Sequence, residues 1–408
     1  MDEKETGGRL VSGRTLLVGC DLGDEKTQLA VYNRQQREPV LVGQTEENPD
    51  ALMDTAIYLE EQPPLRDFLP KIRQGEEILV EGRHSNPVNV LAYFFRKTLS
   101  LTRQQYPSET IQQLVVTVEE QSMDYIQLIY DALAVLGIGR DRALVISHKQ
   151  SYLYYVLYQK KELWINDVGL FDYDGRRLRY YQMQVDRQRK PALVGVTERD
   201  FSDAMENTDE NGHRGAVFEN IAQGAIHKQI LSALYMTGEG FEGEWADPVF
   251  RRLCVGRRLF RGRNLYVSGA CYAAREVSEK ARLSDYILLD EEMIFSHISA
   301  MMYTEAKEQE VIFAKAGTPW YQVDKELDII PDGETELKLT ARNLFTREEK
   351  HFILDLEPVS GKSARQCRLG VRVRFDNVHT CVVTLRDKGF GEMFPTSNRI
   401  WEKTLTID

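Results

Sequence analysis

The chain has 408 residues and a hydrophobic fraction of 42%, enough to bury a substantial core over about two or three domains. Its formal net charge of -11 argues against a nucleic-acid coat, which needs basic surface to displace counterions. No stretch reaches the roughly 18 uninterrupted apolar residues of a membrane span, and the opening "MDEKETGGRL" is too charged for a signal peptide, which leaves the cytoplasm as the expected location.

Residues 15 to 45 read as successive strands, "TLLVGCDL", "TQLAVYN" and "PVLVGQT", separated by turn-forming or charged residues. Residues 88 to 140 change character. "VNVLAYFFRKTLSLTRQQ" has apolar residues at helical spacing, "IQQLVVTVEE" is a strand, and "SMDYIQLIYDALAVLGIG" is a second amphipathic helix closed by Gly137. The strand "RALVISH" and the helix-like "SYLYYVLYQ" follow, and this alternation predicts an α/β layer architecture. The polar stretch 197 to 215 reads as an exposed loop or short helix. "EMIFSHISAMMYTEAKEQ" reads as a helix that ends the first domain, 1–310. From residue 311 the short, regularly spaced segments "VIFAKAG", "TELKLTARNL", "HFILDLEPV", "RLGVRVRFDN", "HTCVVTLRDKG" and "IWEKTLTI" predict a β-sandwich domain, 311–408. The five cysteines, Cys20, Cys254, Cys271, Cys367 and Cys381, form no C-x-x-C pair and indicate neither a disulfide framework nor a zinc site.

The chemistry rests on turns. "GCDLGDEKT" ends an apolar strand in Asp21 and Gly23, followed by Lys26 and Thr27. Residues 113 to 158 then run strand, helix, Gly-ended turn, strand, helix. "ELWINDVGLFDYDGRRLRYYQMQV" contains Asp167 and Gly169, "SALYMTGEGFEGEWADPVFRRLC" contains Gly238 and Gly240, and "NLYVSGACYAARE" follows. In this order the motifs resemble the actin-like ATPase superfamily in its seventy-kilodalton heat-shock chaperone branch. There two hairpin turns grip the phosphates, and an Asp at each holds magnesium through its waters while Gly admits backbone N–H groups. The resemblance implies an actin-like, ribonuclease-H-like two-lobed fold, α/β in class. It places the nucleotide at Asp21, Gly23, Lys26, Thr27, Asp167, Gly169, Gly238 and Gly240, with magnesium at Asp21 and Asp167. Lys26 is similar to the division-protein branch of the same superfamily.

The C-terminal "RLGVRVRFDNVHTCVVTLRDKGFGEMFPTSNRIWEKTLTI" resembles the last strands of the chaperone substrate-binding β-domain, with Asp387, Lys388 and Gly389 carrying the match. Taken whole, the chain looks closest to an uncharacterised bacterial family, a domain of unknown function with a "GFGE" turn. That turn sets Phe390, Met393 and Phe394 on a loop as a candidate partner surface.

Departures from the pattern bear on activity. Asp24 and Glu25 stand where the chaperones have hydroxyls that reach the phosphates, and "GLF" at 169 to 171 replaces a Gly-Gly-Gly-Thr run. His148 matches the chaperone Glu that positions the attacking water, and a histidine near neutral pH is a different acid-base group. The short interval from Asp167 to Gly238 predicts a reduced upper subdomain, and no helical lid is expected after the last strand. The expected function is binding of ATP or ADP with magnesium, with weak or absent hydrolysis, together with a protein partner. The alternatives are a scaffold that keeps the fold without nucleotide, and a filament-forming actin relative. The arginine-rich "RRLCVGRRLFRGRN" reads as a salt-bridged surface.

Overall fold

The computed structural model describes residues 15–407 except 59–62, 81, 120, 207, 209–212, 280, 290–291, 332, 345, 357–366 and 393. The chain divides into two compact units, Met1–Tyr286 and Ile287–Asp408.

The first unit opens with β1 (Thr15–Leu22), β2 (Lys26–Asn33), β3 (Glu38–Leu41) and β4 (Met53–Asp54), then α1 (Phe68–Gln74), β5 (Ile78–Val80), β6 (Arg83–Ser85) and α2 (Pro87–Gln105). β7 (Thr110–Val118), α3 (Met123–Val135), β8 (Ala143–Ser147) and α4 (His148–Tyr158) complete its first half. The second half runs β9 (Asp167–Tyr173), β10 (Leu178–Asp186), β11 (Ala192–Asp200), α5 (Ser202–Met205), α6 (Arg214–Ala225), β12 (Leu231–Thr237), α7 (Asp247–Leu253), β13 (Arg258–Arg261) and α8 (Leu265–Ser278). Helix starts follow their capping chemistry. Asn86, Ser122 and Ser147 each turn a side-chain oxygen onto a first-turn amide, and Pro87 occupies a position whose N–H has no helical acceptor.

Two sheets repeat one topology. In the first the order is β3-β2-β1-β7-β8, with β1, β2 and β3 antiparallel and β7 and β8 parallel to β1. In the second, β11-β10-β9-β12-β13 has the same order and the same directions. The central strands read as continuous apolar runs because both faces are covered. α8 covers the first sheet with small residues. A Cβ on Gly19 would lie 2.5 Å from the Cys271 amide, so strand and helix meet backbone to backbone.

β14 (Tyr286–Leu289) spans the boundary, and the second unit continues with β15 (Ser296–Thr304), β16 (Lys307–Ala314), β17 (Asp324–Ile329), β18 (Glu336–Asn343), β19 (Glu349–Asp355), β20 (Leu369–Asn377), β21 (Thr380–Asp387) and β22 (Ile400–Thr406). The antiparallel sheets β16-β15-β18-β19 and β17-β20-β21-β22 share one core, with Ile298, Phe313, Leu339 and Leu354 from the first and Val371, Val373, Val383 and Leu385 from the second. It is a β-sandwich. The segment expected as a helix at 292 to 309 belongs to this unit and is instead the start of the β15–β16 hairpin. Ile298 and Ala300 alternate inward, and Glu305 and Ala306 make the two-residue turn at φ 53 and 62. Glu, Ala and Lys are strong helix formers, so tertiary pairing overrides propensity here.

Candidate functional site

The two equivalent hairpins of the first unit face one cleft of about 840 Å³, lined by Gly23, Asp24, Glu25 and Lys26 of the first and Asp172, Asp174, Arg176 and Arg177 of the second. Asp21 is the penultimate residue of β1, and Asp172 is the penultimate residue of β9. Their neighbours match as well. Asp21 pairs in register with Thr117 of β7 and Asp172 with Thr237 of β12, and each threonine is followed two residues later by a cleft glutamate, Glu119 or Glu239.

Neither aspartate is left to solvent. His148, the first residue of α4, places Nε2 2.8 Å from Asp21 Oδ1, and both side chains are largely buried. The imidazole stacks on the Tyr266 ring, centroids 3.9 Å apart and planes within 9°. The Tyr266 hydroxyl in turn donates to Asp172 Oδ2 at 2.6 Å. Burial disfavours the His148 imidazolium, but Asp21, by its charge and hydrogen bond, and the carboxylates of Glu119 and Asp172 outweigh it and raise the pKa. Burial pushes the Asp172 carboxyl up to about 6, against the hydrogen bond from Tyr266 and the nearby His148.

The hairpin tips are satisfied from within. The Gly23 amide donates to the Lys26 carbonyl at 3.1 Å, and the Arg176 and Arg177 amides both donate to Asp174 Oδ1 at 2.7 Å. Arg73 holds Asp24 through two bonds of 2.7 and 2.6 Å. Lys26 pairs with Asp54 at 2.6 Å, beside Arg66 at 2.8 Å. Thr27 is fully buried, its hydroxyl bonded to Thr55, which also donates to the Gly23 carbonyl.

The structure brings Asp21, Gly23, Lys26 and His148 to the cleft or its floor, and it does not bring Asp167 there. Asp167 begins β9, five residues and about 16 Å of strand from Asp172. Its carboxylate accepts from Gln182 and Gln184 at 2.7 and 2.8 Å. Gly169 lies mid-strand between Leu234 and Tyr180. The acidic residue at the second turn is therefore Asp172, in "FDYDG". Gly238 and Gly240 pack against Tyr173 and Gly175 of the second hairpin. A Cβ on Gly238, at φ 100, would overlap the Tyr173 carbonyl. Beside them Phe218, Phe241, Trp245 and Phe250 interlock, and the Arg214 guanidinium lies over both Tyr173 and Trp245. The arginine-rich stretch is ion-paired at Arg252, Arg258, Arg261 and Arg263.

In the sandwich, Asp387 is buried and accepts the amides of Gly389 and Ser397, each at 2.8 Å, which braces the following loop. Lys388 pairs with Glu326 and Asp328. Phe390 is 47% exposed and Phe394 partly buried, while Met393 lies outside the described residues.

Fold and site together define a class: a duplicated α/β unit with a charged cleft, joined in sequence to a β-sandwich. Residues 49–291 match the model of a family of unknown function (DUF5716), C-terminal, and residues 293–407 match a domain of unknown function (DUF8552). The first match spans more than half of the chain, and the chain belongs to that family. No curated protein matches it.

Proposed function

We propose that the first unit is an actin-type, ribonuclease-H-like two-lobed fold that works as a protein-interaction scaffold and does not hold magnesium-ATP. The observation that carries this reading is the engagement of both turn carboxylates by protein groups. Asp21 is bonded to His148 and Asp172 to Tyr266. In this fold the two carboxylates would hold magnesium through its waters. An imidazole nitrogen 2.8 Å from Asp21 Oδ1 takes up that oxygen and fills the place of the ion's waters, so the residues do not fit the metal. Phosphate recognition also needs free amides at the turns, and the amides of Gly23, Arg176 and Arg177 already have acceptors.

The cleft itself favours the second reading, nucleotide binding, through Lys26, Arg73, Arg176, Arg177 and Arg179. Against those five cations and the imidazole of His148 stand seven carboxylates: Asp24, Glu25, Asp67, Glu119, Asp172, Asp174 and Glu239. A polyphosphate would meet a net repulsive lining. In the sandwich, the exposed Phe390 on a loop braced by Asp387 supports a docking role toward a protein partner.

Thermal unfolding with millimolar magnesium-ATP or magnesium-ADP tests the reading, and no shift is expected. A ligand at about 100 times its dissociation constant adds about 2.7 kcal/mol, several degrees of melting temperature, and a shift of that size overturns it.

A further inference from the structure

We infer that the first unit carries a built-in latch in which Glu119, at the end of β7 and bracketed by Arg177 and Arg179 of the second hairpin, holds the two sheets together across the cleft without a ligand. This rests on the metal-free reading, because a bound ion would compete for the groups beneath it. Glu119 directly follows β7 of the first sheet, and Arg177 and Arg179 flank the start of β10 in the second. Its Oε1 receives Arg179 at 2.7 Å and its Oε2 receives Arg177 at 2.9 Å, so one carboxylate is held by two guanidiniums. Arg179 is four-fifths buried, which shields this contact from solvent far better than an ordinary surface pair.

The contact has a rigid footing. α4 begins at His148 directly after β8, and α8 carries Tyr266 in its first turn. The helices cross so closely that a Cβ on Gly269 would overlap the Ser151 carbonyl, while the Ser151 hydroxyl donates to the Tyr266 carbonyl at 2.5 Å. The brace touches the first sheet through His148 and Asp21 and the second through Tyr266 and Asp172. Lys149 of α4 also reaches Glu198 of β11 at 2.6 Å. With the crossing fixed at the base, the Glu119 contact is a second tie between the two sheets, at the mouth of the cleft.

The test is hydrogen exchange on the full chain, read at the hairpin amides 21–28 and 172–180, for wild type, Glu119→Gln, Arg179→Met and the double variant. Loss of the latch in Glu119→Gln should speed exchange at both hairpins about tenfold, with sandwich amides 369–387 unchanged, and the double variant should match the single ones. Unchanged hairpin exchange in Glu119→Gln, or a double variant equal to the product of the two single effects, overturns the latch. Arg177→Gln leaves the Arg179 contact in place and gives a milder break, with a smaller rise at the same amides. A rise elsewhere but not there also overturns it. Slower wild-type exchange on adding magnesium-ATP would instead overturn the metal-free reading, leaving the latch to be judged by the cycle.

Discussion

The two hairpins of the first unit occupy equivalent places in two equivalent sheets, yet different parts of the molecule hold them. β1–β2 is supported by polar groups from its own lobe: Arg73 on Asp24, Asp54 on Lys26 and Thr55 on the Gly23 carbonyl. β9–β10 rests on packed backbone and aromatic rings, with Gly238, Gly240 and Phe241 against Tyr173. Duplication thus fixes where the turns stand and leaves open what stabilises them. The first turn should tolerate loss of single contacts, and the second should fail when its packing is disturbed.

The largest effect follows from that contrast. Gly238→Ala adds a Cβ that overlaps the Tyr173 carbonyl at a φ that disfavours side chains, and it should destabilise by about 3 kcal/mol or more. Chemical denaturation would measure the loss. A cost below about 1 kcal/mol would mean that the second hairpin does not depend on this packing.

The equivalent aspartates should respond with opposite signs. Asp21→Asn weakens the bond to the buried His148 and should cost about 1 to 3 kcal/mol at neutral pH. Asp172 has a folded pKa of about 6 against an ordinary 3.8, so the native state binds its proton more tightly than the unfolded chain. Its stabilising contribution is complete below pH 3.8 and is lost as pH rises through about 6. Asp172→Asn removes that loss while keeping an acceptor for Tyr266. It should stabilise by about 1 to 2 kcal/mol above pH 6 and do little near pH 4. Melting curves of both variants across pH 4 to 8 would decide, and equal signs would break the asymmetry.

Much of the first sheet is legible because its strands and helices carry clean periodicity, as in "TLLVGCDL" and the helix that begins at Ser122, although α4 starts after Ser147, earlier than the expected "SYLYYVLYQ". The second turn is misplaced by five residues because "NDVG" has the local look of an Asp-x-Gly turn. What decides the matter is that β9 continues through it to Tyr173, a fact of strand pairing. A signal was present in "VVTVE" and "YMTGE", whose Thr-x-Glu sets Thr117 and Thr237 beside the two aspartates. The cross-cleft contact of Glu119 with Arg177 and Arg179 joins residues about 60 apart and has no local signature. The β15–β16 turn was hidden for a related reason: Glu305 and Ala306 adopt positive φ without the Gly or Asn that usually announces it.

The smallest effect sharpens the placement of the second turn. Asp167→Ala removes two side-chain bonds to Gln182 and Gln184 at the base of β9, far along the strand from the cleft. It should cost about 0.5 to 1.5 kcal/mol and leave hairpin exchange at 172–180 unchanged, since no contact of the turn passes through it. Lys26→Ala belongs to the same class. Its pair with Asp54 is partly solvent-exposed and should contribute about 0.5 kcal/mol, fading as salt is raised. If Asp167→Ala instead loosened the 172–180 amides as strongly as loss of Glu119, the strand would be transmitting strain along its length. The assignment of Asp172 as the partner of Asp21 would then have to be abandoned.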